Sequence, residues 1–405
     1  MDCIATQFLP RPSSPSQSWS SKLGLVGACL YIAGFALPLQ WDMIPLFVLA
    51  LFSALAAFTR SQARTTAWSS LALLVVVFLS ETAVSTLLSV DIGRSTRLGM
   101  QLLPAVLLFF LVTEHFDGPQ DIRLLYLTFS MLGVVLASRM LWVAWHANGT
   151  VYLRVTRLGI PLLVDPNDLT FLAIIAPLSL VLLCREARLA YRIIAGLSIF
   201  LSLCAACVFR SRTAVLTTII SLTCITLLTQ RRRRLATGLA ALLALLLLAL
   251  LLNILFFPNS QLVEKVIRSN YGTLSGRTPL WSAAWMLFLS APVVGHGPHT
   301  FGVFSKIPYV HNLYLEALAE QGGLGLTTLG VLIAYGLAAA WRLQRAASSD
   351  AALLGAGALA GLIGFCSAAV VDLSFVHQWV TIILFVLLGT IAHLRTLNQK
   401  REVKQ

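Results

Sequence analysis

His311 is well placed by type to move a proton. Imidazole titrates near neutrality, and a neutral ring takes a proton from an attacking hydroxyl. His311 stands at the head of an apolar run, followed by Asn312. A histidine that simply ends an interfacial helix would sit in the same place, and by type alone His296 and His299 are equal candidates. Arginines offer a second chemistry. Arg210-Ser211-Arg212-Thr213 forms a turn between two apolar runs, and Arg277 lies in Ser275-Gly276-Arg277-Thr278-Pro279. Guanidinium groups bind phosphate oxygens in pairs, and Ser211 would cap a helix whose N-terminus also favours anions. That combination suits a diphosphate, although two arginines ending a membrane span would look alike. Asp165-Pro166-Asn167-Asp168 reads as a turn and helix cap, or as a carboxylate source that orients a basic residue.

The elements that must hold these residues are apolar helices. Of the 405 residues 58% are apolar and only 11% charged, with a mean hydropathy of +0.85. A soluble domain carries about 25% charged residues. A soluble enzyme, a disordered chain and a DNA-binding domain are therefore excluded as readings of the whole chain. At about 20 residues per span, the apolar runs predict twelve transmembrane helices. Their limits are 23–39, 43–58, 66–88, 98–113, 123–146, 169–184, 191–209, 213–229, 235–257, 312–340, 351–371 and 375–394. The predicted fold is all-α, a polytopic integral membrane protein forming one transmembrane domain over 1–405.

The net charge is 29 − 16 = +13. In this setting it reports topology rather than nucleic-acid binding. With twelve spans, 18 Lys and Arg fall on the side of both termini and 10 on the other, and Arg139 stays within a span. The excess predicts cytoplasmic tails at 1–22 and 395–405. The run Arg231 to Arg234 then faces anionic lipid. Basic residues on the outer side run against this bias. Arg154/Arg157, Arg210/Arg212 and Lys265/Arg268 form three clusters, with Arg277 and Lys306 in the long loop 258–311. A lipid-linked phosphate or diphosphate would keep them there, as would contact with lipid headgroups.

Within that loop a helix is predicted from Arg277 to about Ser290. It is too short to span, and Trp281, Trp285, Met286 and Phe288 place it in the interface. Pro292 and the glycines at 295, 297 and 302 then make irregular backbone, which membranes tolerate only in water or around a cavity. Cys204-x-x-Cys207 falls inside a predicted span and reads as packing rather than redox chemistry. No nucleotide phosphate loop, metal-ligand spacing or cleavable signal is evident.

Taken in order, the motifs resemble those of the O-antigen ligase and polymerase superfamily of bacterial membrane glycosyltransferases. The resemblance rests on Asp165-Pro166-Asn167, Arg210-Ser211-Arg212-Thr213, Ser275-Gly276-Arg277 to Trp281, Pro292…Gly295-His296-Gly297 with Phe301, and His311-Asn312…Leu315…Leu318…Glu320…Gly322. It covers residues 165–326. It implies a GT-C-type enzyme of the bacterial inner membrane, with a periplasmic active site. The donor would be an undecaprenyl-diphosphate-linked glycan and the acceptor lipid A–core oligosaccharide, with no metal or cofactor. By position His311 would be the catalytic base. Arg210 and Arg277, with Arg212 assisting, would hold the donor diphosphate, and displacement would invert the anomeric centre. Asp165, Asn312 and Glu320 would support the site. A straight helix turns Glu320 away from His311, which suits a structural role.

Two relatives within the class share the donor-handling residues, an O-antigen polymerase and a protein-directed glycan ligase. A transporter of lipid-linked glycans is the contrasting class. It would place ionisable groups near the bilayer midplane and show internal repeats. Here the notable charges cluster at the outer ends of spans, with Glu81 and Arg139 the exceptions.

Overall fold

The computed structural model describes residues 19–37, 43–59, 69–146, 168–209, 211–229, 277–346 and 349–402. Among them it contains thirteen helices and no strand. These are α1 (Trp19–Gly34), α2 (Met43–Phe58), α3 (Ser70–Leu87), α4 (Ile92–His115), α5 (Pro119–His146), α6 (Leu169–Arg185), α7 (Leu189–Val208), α8 (Arg212–Thr229), α9 (Arg277–Ser290), α10 (Phe301–Phe304), α11 (Leu313–Ala346), α12 (Ser349–Ala369) and α13 (Gln378–Glu402). Seven are long and apolar enough to cross a membrane: α3, α4, α5, α7, α11, α12 and α13. Shorter apolar helices coincide with the predicted spans at 43–58, 169–184 and 213–229. The chain is a multi-pass membrane protein. The predicted span 235–257 and the Arg231–Arg234 run lie outside the described residues.

Helix ends follow the polar residues that close the apolar runs. Ser69 accepts a bond from the Ala72 amide at the start of α3, and Asp91 from the Arg94 amide at the start of α4. Ser211 accepts from the Ala214 amide at α8, as its sequence context predicts. The surface carries isolated large apolar side chains such as Phe47, Phe58 and Trp142, as expected of a face turned to lipid.

α13 lies at the centre of the bundle and is buried along most of its length, packed on α4, α11 and α12. Its Phe385 meets Phe78 of α3 and Phe109 of α4. α12 uses small residues to approach its neighbours. A side chain at Gly357, Gly361 or Gly364 would run into α6, α13 or α8. That register also sets direction. Gly357 faces Val181, Gly361 faces the Ile174 carbonyl and Gly364 faces Thr217 and Ser221. The C-terminus of α12 therefore lies at the same end as the N-termini of α6 and α8.

One expectation changes. The sequence predicts one span over 312–340, but the polypeptide bends at Gly322 (φ 66°, ψ −164°) inside α11. The bend lets the Gly323 and Leu324 amides reach the carbonyls of Pro292 and Val293. A Cβ at Gly322 would stand 2.3 Å from the Val293 oxygen. Arg139 lies within a span, α5, as its sequence position predicts, and hydrogen-bonds the Ala36 carbonyl just beyond the end of α1. Its charge sits at a helix C-terminus, where a cation is favoured.

Replacing Gly322 by Ala forces a side chain into backbone angles that are essentially glycine-only, which adds roughly 1–3 kcal/mol to that steric conflict. Thermal unfolding of the purified protein should show a clear loss for Gly322→Ala. Gly330→Ala, where nothing lies within 4 Å of the added Cβ, should be neutral or slightly stabilising.

Candidate functional site

Asp372 lies in the turn between α12 and α13, with its side chain 1% exposed. Three groups from distant parts of the chain meet its carboxylate. Thr170 Oγ1, in the first turn of α6, donates to Oδ2 at 2.9 Å. Arg277 Nη2, from the first residue of α9, donates to Oδ1 at 3.2 Å. His311 Nδ1 stands 3.6 Å from the same oxygen, just beyond hydrogen-bond reach. With Nδ1 turned to Asp372, Nε2 is the nitrogen that would meet a substrate. A guanidinium has five N–H donors, so Arg277 can hold Asp372 and still offer donors to a phosphate.

His311 is held under strain. Its φ is 57°, and among the described residues the only other non-glycine with positive φ is His299 (φ 63°). Such conformations persist where the surroundings over-determine them, which is common at functional sites. Asn312 follows as the cap of α11, its Oδ1 accepting from the amides of Tyr314 and Leu315. Glu316, one turn further on, joins the two halves of the site. Its carboxylate accepts from Ser374 Oγ at 2.8 Å, from the Phe375 amide at 2.9 Å and from the Val310 amide at 3.4 Å. The residues flanking His311 and Asp372 are thereby tied to one buried group.

Glu320 does the same for the loop before it. Its oxygens accept from the amides of His299 and Phe301, at 2.8 and 2.9 Å. The loop is also sewn to the turn between α3 and α4. The Val90 amide donates to the His296 carbonyl and Ser95 Oγ to that of Pro298. His299 Nε2 faces the Phe375 carbonyl at 3.3 Å, which links the loop to the Asp372 turn.

A second imidazole–carboxylate pair adjoins the first. His377 Nδ1 is 3.7 Å from Asp168 Oδ1, and Trp379 Nε1 donates to that oxygen at 2.8 Å. Asp168 occupies the cap position of α6, yet its side chain makes no capping bond. The cap reading of this residue is therefore replaced by a role in holding His377 and Trp379. The Tyr309 ring contacts both imidazoles, with centroids 4.5 Å from His311 and 5.2 Å from His377. Asp168, Tyr309, His311, Asp372, His377 and Trp379 line one partly open hollow. Among the described residues no group of three or more His, Cys, Asp or Glu is arranged to hold a metal ion.

With this geometry in place, the chain was compared with known proteins. Residues 197–330 match the O-antigen ligase family. No curated protein matches the chain. The match contains α8, α9, the glycine-rich loop, His311 and the first part of α11, and bears out the resemblance carried by the motifs. Of the motif residues shared with the O-antigen ligases, His311 and Arg277 come together on Asp372. Arg212 stands exposed at the start of α8, at the end of the bundle that holds the Asp372 turn. Asn312 and Glu320 serve backbone amides. Arg210 and Asp165 lie outside the described residues.

Sequence reading misses Asp372, Glu316 and His377; for the turn that holds Asp168 it leaves open the orientation of a basic residue, without naming His377. Asp372 and His377 lie beyond the matched stretch, in a short turn between two apolar runs. One signal was available: Val371-Asp372-Leu373-Ser374 places a carboxylate at the end of a span predicted to face outward, the side of His311.

Two tests follow from these contacts. Glu316→Ala leaves Ser374 and Phe375 without their acceptor, and each unmet buried group costs roughly 1–3 kcal/mol. The melting temperature should fall, and Glu316→Gln should recover part of the loss. Burial holds His299 below the ordinary histidine pKa, against its bond to the Phe375 carbonyl, and the nearby His377 and Arg97 push the same way as burial. A depressed histidine contributes stability that is present above its unfolded pKa of about 6.5 and lost as pH falls from there through the folded value. Melting temperature should drop on acidification across that window, less steeply in His299→Asn.

Proposed function

We propose that the protein is an O-antigen ligase, a glycosyltransferase that moves a glycan from undecaprenyl diphosphate onto lipid A–core oligosaccharide. The observation that carries this reading is the meeting of His311 and Arg277 on the buried Asp372, with both residues inside the stretch that matches the O-antigen ligases. On this reading the chain is one transmembrane domain over 1–405, of GT-C type, with twelve spans in the inner membrane. The tails 1–22 and 395–405 are cytoplasmic, and the loop 258–311 and the active site face the periplasm. The contacts support such a topology. Arg123 pairs with Asp350, both assigned to the cytoplasmic side. The Val90 amide bonds His296, both assigned to the periplasmic side.

The reaction is a displacement at the anomeric carbon of the donor sugar. The acceptor hydroxyl oxygen forms the new C–O bond while the bond to the diphosphate breaks. Its electron pair leaves on undecaprenyl diphosphate, and the hydroxyl proton passes to His311 Nε2. Asp372 orients the ring through Nδ1 and steadies the charge that develops on it, as a carboxylate does for any catalytic imidazole. Arg277, with Arg210 and Arg212, neutralises the departing diphosphate, which elsewhere is the task of a divalent metal. Attack opposite the leaving group inverts the anomeric centre.

The test is a reconstitution. The purified protein is incubated with undecaprenyl-diphosphate-linked glycan and lipid A–core in the presence of EDTA, and glycan-bearing lipid A–core is resolved on a gel. The wild type should produce a ladder with an inverted linkage. His311→Ala should lower the rate by about 10²–10⁴ and Arg277→Ala by about 10²–10³. Longer diphosphate-linked glycans in place of the ladder would make the protein a polymerase. A retained linkage, or full activity in His311→Ala, would overturn the mechanism.

A further inference from the structure

The proposed chemistry uses His311, Asp372 and the arginines. It leaves a second pair, His377 and Asp168, on the wall of the same hollow. Asp168 is 2% exposed and held by Trp379, so it is a fixed anchor, while His377 keeps 20% of its side chain exposed. With Nδ1 directed to Asp168, His377 Nε2 is the nitrogen that can meet an incoming hydroxyl. Tyr309 lies between the two imidazoles, so a group bound at His377 is one aromatic ring away from the proposed base. Arg277 enters this arrangement at Asp372. In a displacement, the attacking hydroxyl and the leaving diphosphate lie on opposite sides of the anomeric carbon. The diphosphate belongs with Arg277, so the His377 side is where the acceptor arrives.

We infer that His377, positioned by Asp168, together with the Tyr309 ring forms the subsite for the acceptor sugar, and presents its nucleophilic hydroxyl to His311. The imidazole supplies a hydrogen bond to a hydroxyl beside the nucleophile. The aromatic ring supplies an apolar surface for a sugar C–H face, a common pairing of apolar walls with few polar groups in ligand sites. The inference rests on the glycosyltransferase reading and extends it to the acceptor side.

The test is steady-state kinetics of the full-length protein, with lipid A–core and undecaprenyl-diphosphate-linked glycan varied in turn. Loss of one such hydrogen bond corresponds to roughly a tenfold change in affinity. His377→Ala should raise the acceptor KM by about that factor, with a smaller effect on kcat and on the donor KM. His377→Gln, which keeps a polar group of similar size, should recover part of the change and carries the test if the alanine variant unfolds. A rise in donor KM alone, a collapse of kcat at unchanged acceptor KM, or wild-type kinetics would each overturn the subsite. Absence of any product from the wild type would instead overturn the glycosyltransferase reading itself.

Discussion

The burial of the Asp372 carboxylate is the constraint around which one end of the bundle is arranged. A carboxylate with 1% of its side chain exposed is costly unless hydrogen-bonded and faced by positive charge. Thr170 and Arg277 supply the hydrogen bonds and the charge, and His311 stands 3.6 Å away, each from the start of a helix, α6, α9 and α11. None is near another in sequence, so the bundle must bring three helix beginnings to the turn between α12 and α13. The glycines of α12 permit this by letting it approach α6, α8 and α13 closely. Site and fold are thus one problem. An error in helix register would leave Asp372 without its partners.

Support for this group extends outward in layers. Glu316 ties the segment before His311 to the segment after Asp372, and Glu320 ties the glycine-rich loop to the same helix. Both carboxylates receive backbone amides, which orient a loop more rigidly than a side chain could. The bend at Gly322 belongs to this scheme, because it brings the Pro292 and Val293 carbonyls onto α11 directly after Glu320. The left-handed residues His299 and His311 are the points where the loop is most tightly constrained. Side chains that must be held at a fixed spacing benefit from such restraint.

The apolar helices were legible in sequence because hydropathy reports burial in lipid directly. The interfacial helix was legible to its last residue, Ser290, because a cluster of Trp and Phe ends there in proline and glycine. His311, Arg277 and Asn312 were legible through their motifs. Asp372 and His377 were not. A turn of a few residues between two spans has no periodicity, and its value lies in contacts with residues more than 60 positions away. For Asp168 the sequence left two roles open, a helix cap or a carboxylate that orients a basic residue, and only the tertiary contacts with His377 and Trp379 decide between them. The bend in α11 was hidden because a glycine inside an apolar run looks like any other helical glycine until the neighbouring Val293 carbonyl is in view.

The distribution of charge through the bundle bears on the contrast between an enzyme and a transporter. A transporter needs ionisable groups along a path through the bilayer, with two arrangements of the helices around them. Glu81 and Arg139 looked from sequence like such groups. The Arg139 guanidinium serves the carbonyl of Ala36 just beyond the end of α1, while the buried carboxyl oxygens of Glu81 in α3 have no hydrogen-bond partner among the described residues. The ionisable residues that share a site are at one end of the bundle, cross-linked by Asp372 and Glu316 and braced by strained backbone. An alternating-access path would have to break and remake those buried contacts on each cycle. Groups locked this firmly are better matched to a fixed site at one end of the bundle than to such a path.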